Sequence, residues 1–231
     1  LAGFINPYYL TGSLAVAGRH NHQREKTLKR IVSWSVRLAV TDKERDEQVS
    51  QKISEAAIAF STRRIHTLKE LNALLESVIP NNKEFQASFG RLRIEEISLV
   101  RYYITELEVY ARKQLAKGEM GYASELMPHS STDHVNVEHV LPQHADGTDW
   151  AQFTEQEKHY YLWRLGNMAL LLTPKNSEIG NAGFSIKKQA YTLSDFKLTQ
   201  SLATYVDWTP AAIEARQNAM AKIAPKVWRV N

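Results

Sequence analysis

The sequence contains no cysteine, which excludes a disulfide framework, a thiolate zinc site, an iron–sulfur cluster and a thiol nucleophile in one step. A chain of 231 residues can build a core without such staples. A cysteine-free chain is compatible with a reducing, cytoplasmic setting. No apolar run approaches the roughly 18 residues of a membrane span, so no membrane partner is expected. Charge of one sign is scarce in excess: 29 Lys+Arg face 25 Asp+Glu, a net charge of +4.

That small surplus is unevenly placed. Residues 1–116 carry 18 basic and 13 acidic side chains, and residues 117–231 carry 11 and 12. The basic residues concentrate at Arg19, His20, His22, Arg24, Lys26, Lys29 and Arg30. Such a run reads first as a solvated helix face and second as a patch that attracts phosphate. The opening LAGFINPYYL lacks the basic region and small-residue site of a signal peptide. With Leu1 rather than Met in first place, it is read as a cut within a larger polypeptide, with an upstream domain expected. Phe4, Tyr8 and Tyr9 also suit local core packing.

Helical periodicity dominates the first half. Apolar positions recur at three to four residues through Leu28–Leu38, Val49–Phe60, Leu68–Ile79 and Ile97–Ala111, predicting a bundle of about five helices over residues 1–116. Thr67 with Glu70 forms a capping box, and Pro80-Asn81-Asn82 stops the helix. The stretch 117–134, with two glycines, a proline and small polar residues, reads as a connecting segment. Residues 135–231 change texture. Val135 to Leu141 alternates like a short strand stopped by Pro142, and Met168 to Leu172 is a second strand ended by Thr173-Pro174. Between them Thr154 with Glu157 caps a helix, and Gly166 stands where a left-handed residue after the helix is expected. Asn176 is placed in a loop before a helix near 182–190, and Thr209-Pro210 opens the last helix.

Glu138, His139, Asn167 and Asn176 thus converge on a strand pair and a helix. Phosphodiester hydrolysis needs a base that accepts a proton near neutral pH, which suits imidazole. It also uses a cation on few hard oxygen ligands, which Glu138 and the Asn176 carbonyl can supply. Successive strand residues face opposite ways, so Glu138 and His139 would serve one site only at its edge, with Asn167 orienting the imidazole. Asn176 and Asn181 read equally as turn formers. Arg216 reads as a buried structural group or as a DNA contact. His134 and His144, five positions from His139, have the wrong spacing for one helix face. Trp150, Trp163, Trp208 and Trp228 are expected to form the core around the finger.

The ordered set Glu138-His139-x-x-Pro142, Leu165-Gly166-Asn167, Asn176-x-x-x-Gly180-Asn181, Phe184, Lys187, Tyr191, Ser194, Trp208, Ile213, Arg216 and Trp228 resembles an HNH nuclease of the His-Me finger type. More specifically, it resembles the C-terminal nuclease domain of GmrSD-type modification-dependent restriction enzymes, a group that includes phosphorothioate-sensing defence proteins. The likeness covers about residues 135–229, and the preceding helices resemble the variable helical region of that group. It implies a mainly α fold with a small β-hairpin: a helical bundle, then a ββα-metal core surrounded by helices. It implies His139 as general base, Asn167 as the residue that positions it, and Glu138 and Asn176 as ligands of a divalent metal, Mg²⁺ first and Mn²⁺ as substitute. Lys187 would lie near the phosphate, with Lys188, Arg216 and Asn181 as further nucleic-acid contacts. DNA is the expected partner, an upstream sensor or NTPase domain the expected fusion, and oligomerisation is left open. Glu138 stands where Asp or His is common in HNH motifs. A non-catalytic nucleic-acid-binding module and a ribonuclease on the same finger are the rival readings.

Overall fold

The computed structural model describes residues 21–116, 135–145 and 148–230. The expectations for Arg19, His20, His134, the N-terminal aromatics and the segment 117–134 lie outside them, as do those for the side chains of His22 and Arg24. The protein is mainly helical with one small antiparallel sheet of two strands. Its helices are α1 (Asn21–Val40), α2 (Glu47–Ser61), α3 (Leu68–Leu75), α4 (Asn82–Phe89), α5 (Ile97–Ala116), α6 (Glu155–Leu162), α7 (Thr173–Ile179), α8 (Phe184–Thr192), α9 (Lys197–Gln200) and α10 (Pro210–Val227). The strands are β1 (Asn136–His139) and β2 (Met168–Leu171).

Packing groups the chain into two units that meet in sequence at 89/90 and 223/224. Helix α5, grouped by sequence with the bundle, packs on both strands and on α9. The cause is its buried face of Val100, Ile104 and Leu107 together with Glu108. Sequence proximity gave no hint of these partners, which are distant in the chain.

The first unit holds α1 to α4 and the tail 224–231. Ile31, Trp34, Leu38, Val49, Ala56, Leu71 and Leu75 form its core, as the helical spacing predicts. The Thr67–Glu70 capping box is present. Arg37 is fully buried. Its guanidinium donates to the carbonyls of Trp228 (2.8 Å) and Pro80 (2.8 Å) and to Asn82 Oδ1 (2.6 Å), and lies over the Phe85 ring. Trp228 packs with Phe85 and Phe89 in this unit. Of the basic run in α1, Lys26 and Lys29 are exposed, and Lys29 pairs with Glu25.

The second unit covers Gly90–Ile223. Strand β1 pairs with β2 so that Glu138 faces Ala169 and His139 faces Met168. The Val140 amide bonds to the Asn167 carbonyl, extending the ladder by one step. Both strands are short, and side chains cover their outer edges. The carbonyl of Met168 accepts from Arg216 (2.7 Å), and that of Leu170 from the Thr199 hydroxyl (2.6 Å). A two-stranded ribbon is marginal alone; here every strand residue of β2 is buried. Around it pack Val140, Leu141, Trp150, Phe153, Phe184, Tyr191, Trp208 and Ile213.

Gly166 corrects one expectation. Its φ is not in the left-handed region, where Gly180 is found instead (φ 41°). A Cβ at Gly166 would stand 2.4 Å from the Ile213 carbonyl oxygen and 2.8 Å from Gln217 Cβ. The glycine is therefore required for the close approach of α10.

Candidate active site

His139 ends β1, where its side chain meets Trp163 edge-on, with ring centres 5.2 Å apart. The imidazole is largely buried, and Nε2 has no hydrogen-bond partner. Burial, followed by the charge of Lys187, depresses its pKa from 6.5 to about 4. The ring is therefore neutral at pH 7, with one polar atom unused. An unpaired buried nitrogen costs stability, and a catalytic role is one reason for which such an atom is kept.

Glu138 takes other partners, as strand alternation requires. Its Oε1 accepts from Lys187 Nζ at 2.7 Å and from the Tyr191 hydroxyl at 2.9 Å. Lys187 and Tyr191 lie one turn apart on α8 and are both fully buried. Lys187 also donates to the His139 carbonyl at 2.9 Å, satisfying the outer edge of β1. Burial pushes the Glu138 carboxyl up and the Lys187 ammonium down, and their mutual attraction opposes both shifts. Tyr191 is held well above its ordinary value by burial and by the carboxylate.

Asn167 is fully buried and uses its whole amide. Oδ1 accepts from the Leu141 amide (2.8 Å) and Trp208 Nε1 (3.0 Å), while Nδ2 donates to the carbonyls of Leu141 (3.0 Å) and Leu162 (3.1 Å). It does not hold the imidazole. It clamps the chain two residues beyond His139, and so positions the histidine through the backbone.

Lys187 has no solvent exposure, and its ammonium braces Glu138 and β1. Arg216 is also buried, and donates to the carbonyls of Gly166 and Met168 at 2.7 Å each. Burial lowers its pKa to about 10, which leaves it charged at neutral pH. Lys188 donates to the Tyr205 carbonyl at 2.7 Å. Asn176 lies within α7 rather than in a loop, because Pro174 opens a helix there. That helix packs against β1. Asn181 follows α7, and its carbonyl faces Trp150 Nε1 at 3.5 Å.

A divalent cation at Glu138 would share the carboxylate with Lys187. The carboxylate already carries an ammonium and a phenol, and a second cation would be repelled by Lys187. Among the described residues no group of three or more His, Cys, Asp or Glu is gathered for a metal. Glu138 is thus half of a buried ion pair through Oε1.

Sequence reasoning missed Gln217 and Glu108. Gln217 Oε1 receives Arg164 Nε (2.9 Å) and the Gly166 amide (3.1 Å), and Nε2 reaches the Leu92 carbonyl (2.9 Å). Glu108, fully buried, accepts the amides of Lys197 and Leu198 at the start of α9 and pairs with Arg112. A glutamate on an apolar helix stripe was the available signal.

The strand pair, with a neutral histidine at its end and a helix braced on the neighbouring carboxylate, defines a small histidine-centred site. The family model described as GmrSD restriction endonucleases, C-terminal domain, matches residues 79–223. This is more than half of the chain and includes every candidate residue from Glu138 to Arg216. The chain belongs to that family. Membership points to a restriction-endonuclease function with DNA as substrate class. No curated protein matches it. No helix among the described residues is long and apolar enough to cross a membrane.

Proposed function

We propose that the chain is the hydrolytic part of a modification-dependent restriction enzyme and cuts phosphodiester bonds of duplex DNA on an HNH-type finger, with His139 as general base. The observation that carries this reading is the buried, neutral imidazole whose Nε2 has no partner. In the reaction, Nε2 takes a proton from water and the water oxygen attacks phosphorus. The 3′ oxygen departs and takes a proton in turn. A base with a pKa near 4 is a weak acceptor at pH 7. An anionic phosphate beside it raises that value, since opposite charge favours the imidazolium. Nε2 is buried, with the half-buried Trp163 packed edge-on against the ring, so water reaches it only when the packing around it opens.

Asn167 fixes the backbone after His139, and Lys187 with Glu138 and Tyr191 fixes the strand against α8. Dependence on a divalent cation, Mg²⁺ or Mn²⁺, belongs to the proposal through the family likeness. Asn176 and Glu138, the latter through its second carboxylate oxygen, are the proposed oxygen donors for it. Modification sensing, including of phosphorothioate, and an upstream sensor or NTPase domain complete the role as antiviral defence in the cytoplasm.

The test is conversion of supercoiled plasmid to nicked or linear form with Mg²⁺, with Mn²⁺ and with EDTA, alongside RNA of matching sequence. Cleavage of DNA but not RNA, abolished by EDTA, supports the reading. Preferential RNA cleavage would transfer it to a ribonuclease.

A further inference from the structure

Arg93 and Arg164 form an isolated antiparallel bridge. The flanking hydrogen bonds, from the Ile94 amide to the Trp163 carbonyl (2.9 Å) and from the Leu165 amide to the Leu92 carbonyl (3.3 Å), make them a non-hydrogen-bonded pair. Side chains of such a pair stand close together on one face. Like charges directly opposite each other destabilise a ladder. Here both guanidinium carbons also lie near one ring, that of Tyr160, at 5.3 Å for Arg93 and 5.6 Å for Arg164.

The two differ in what remains available. Arg164 is buried and committed to Gln217, the Tyr160 hydroxyl and the Gly90 carbonyl. Arg93 is exposed, and no carboxylate pairs with it or with Arg164 among the described residues. The nearby carboxylate of Glu214 is held by the Tyr161 hydroxyl at 2.6 Å. Two positions before Arg93, Arg91 is also exposed, while Ile94 is buried and Leu92 half-buried. The strip therefore turns Arg91 and Arg93 to solvent, followed by the exposed Glu95 and by Glu96, whose carboxylate is held by Ser98. It hydrogen-bonds to Trp163, whose ring packs on His139.

We propose that Arg93, supported by Arg91 and stacked on Tyr160, binds the phosphate backbone of the DNA duplex that the His139 site cuts. An exposed guanidinium held over an aromatic ring and without an acidic partner makes an electrostatic site for an anion, and the planar fork of Arg suits phosphate oxygens. Tyr160 pre-orders the exposed guanidinium by stacking. The inference rests on the nuclease reading for its choice of DNA. The contact is to backbone, so it confers affinity and register without sequence preference.

The test is fluorescence anisotropy of a labelled duplex with the whole 231-residue chain in EDTA, titrated over a range of salt. Arg93→Ala is expected to bind roughly tenfold more weakly at low salt, with the slope of log K against log salt reduced by about 1. Arg91→Ala/Arg93→Ala is expected to lose about 2 in slope. Arg93→Lys should keep most of the slope but lose part of the affinity. The melting temperature of Arg93→Ala should be equal to or above that of the unsubstituted protein, because a like-charge pair is relieved. Unchanged affinity and slope in both alanine variants would overturn the proposal, as would tighter binding of RNA than of DNA. If Arg93→Ala retains affinity while His139→Ala abolishes cleavage, the surface fails and the nuclease stands. If Arg93→Ala loses affinity while no variant or parent protein cleaves, the surface stands and the nuclease reading fails.

Discussion

Lys187 Nζ lies 2.7 Å from Glu138 Oε1, so the carboxylate beside the candidate base is neutralised from within the protein. Taking two charges out of water costs several kcal/mol per ion, and removing one partner leaves the other uncompensated. Lys187→Met is therefore expected to lower unfolding free energy by about 3–5 kcal/mol. Glu138→Gln/Lys187→Met should recover part of that loss. Urea unfolding of the two single variants and the double variant gives the coupling energy. Strict additivity would show that the pair does not act as a unit.

Asn167 makes four side-chain hydrogen bonds and is fully buried. Asn167→Ala leaves the Leu141 amide and carbonyl, the Leu162 carbonyl and the Trp208 indole without partners. A loss of about 3–5 kcal/mol is expected. Hydrogen exchange at the Leu141 amide should accelerate by more than exchange at amides in α5. Equal acceleration everywhere would argue for global loosening rather than a local clamp.

Gly166→Ala tests the close approach of α10. The added methyl group meets the Ile213 carbonyl oxygen and Gln217 Cβ below contact distance, and backbone must move. A destabilisation of about 3 kcal/mol is expected by thermal or urea unfolding. Gly180→Ala adds no such contact, and its cost is conformational strain at φ 41° alone.

The depressed pKa of His139 gives stability a defined pH dependence. In the unfolded chain the imidazole titrates near 6.5, and in the folded protein near 4. Between these values the unfolded state binds more protons, so stability falls as pH falls through this window. The contribution is about 3 kcal/mol in order of magnitude. It is fully present above pH 6.5 and lost below pH 4. In His139→Asn that part of the acid sensitivity should vanish, read as the difference in unfolding free energy between the two proteins across pH 4–7.

Much of this architecture was legible because it is local. The periodic apolar positions of α1, α2, α3 and α5, the capping boxes at Thr67 and Thr154, and both strands follow from spacing and turn chemistry. The ordered residues from Glu138 to Arg216 also carried the family. What escaped depends on partners distant in sequence. Nothing near Lys187 or Arg216 marks them as buried, because their acceptors lie 48 to 50 residues away. Position in the chain groups helix α5 with the bundle, whereas its buried face selects the strands. Thr173-Pro174 suits either a stop or a helix start, and the fold takes the second, which puts Asn176 in α7. The bridge between Arg93 and Arg164 joins segments 71 positions apart, and no local pattern announces it.

The central claim is that His139 activates the attacking water, and plasmid cleavage by His139→Ala measures it most directly. With matched metal, salt and folded protein, a loss of roughly 100- to 10,000-fold in the nicking rate is expected, the range of a missing general base. Nicking by His139→Ala at the rate of the unsubstituted protein, in preparations whose activity EDTA abolishes, would contradict the account.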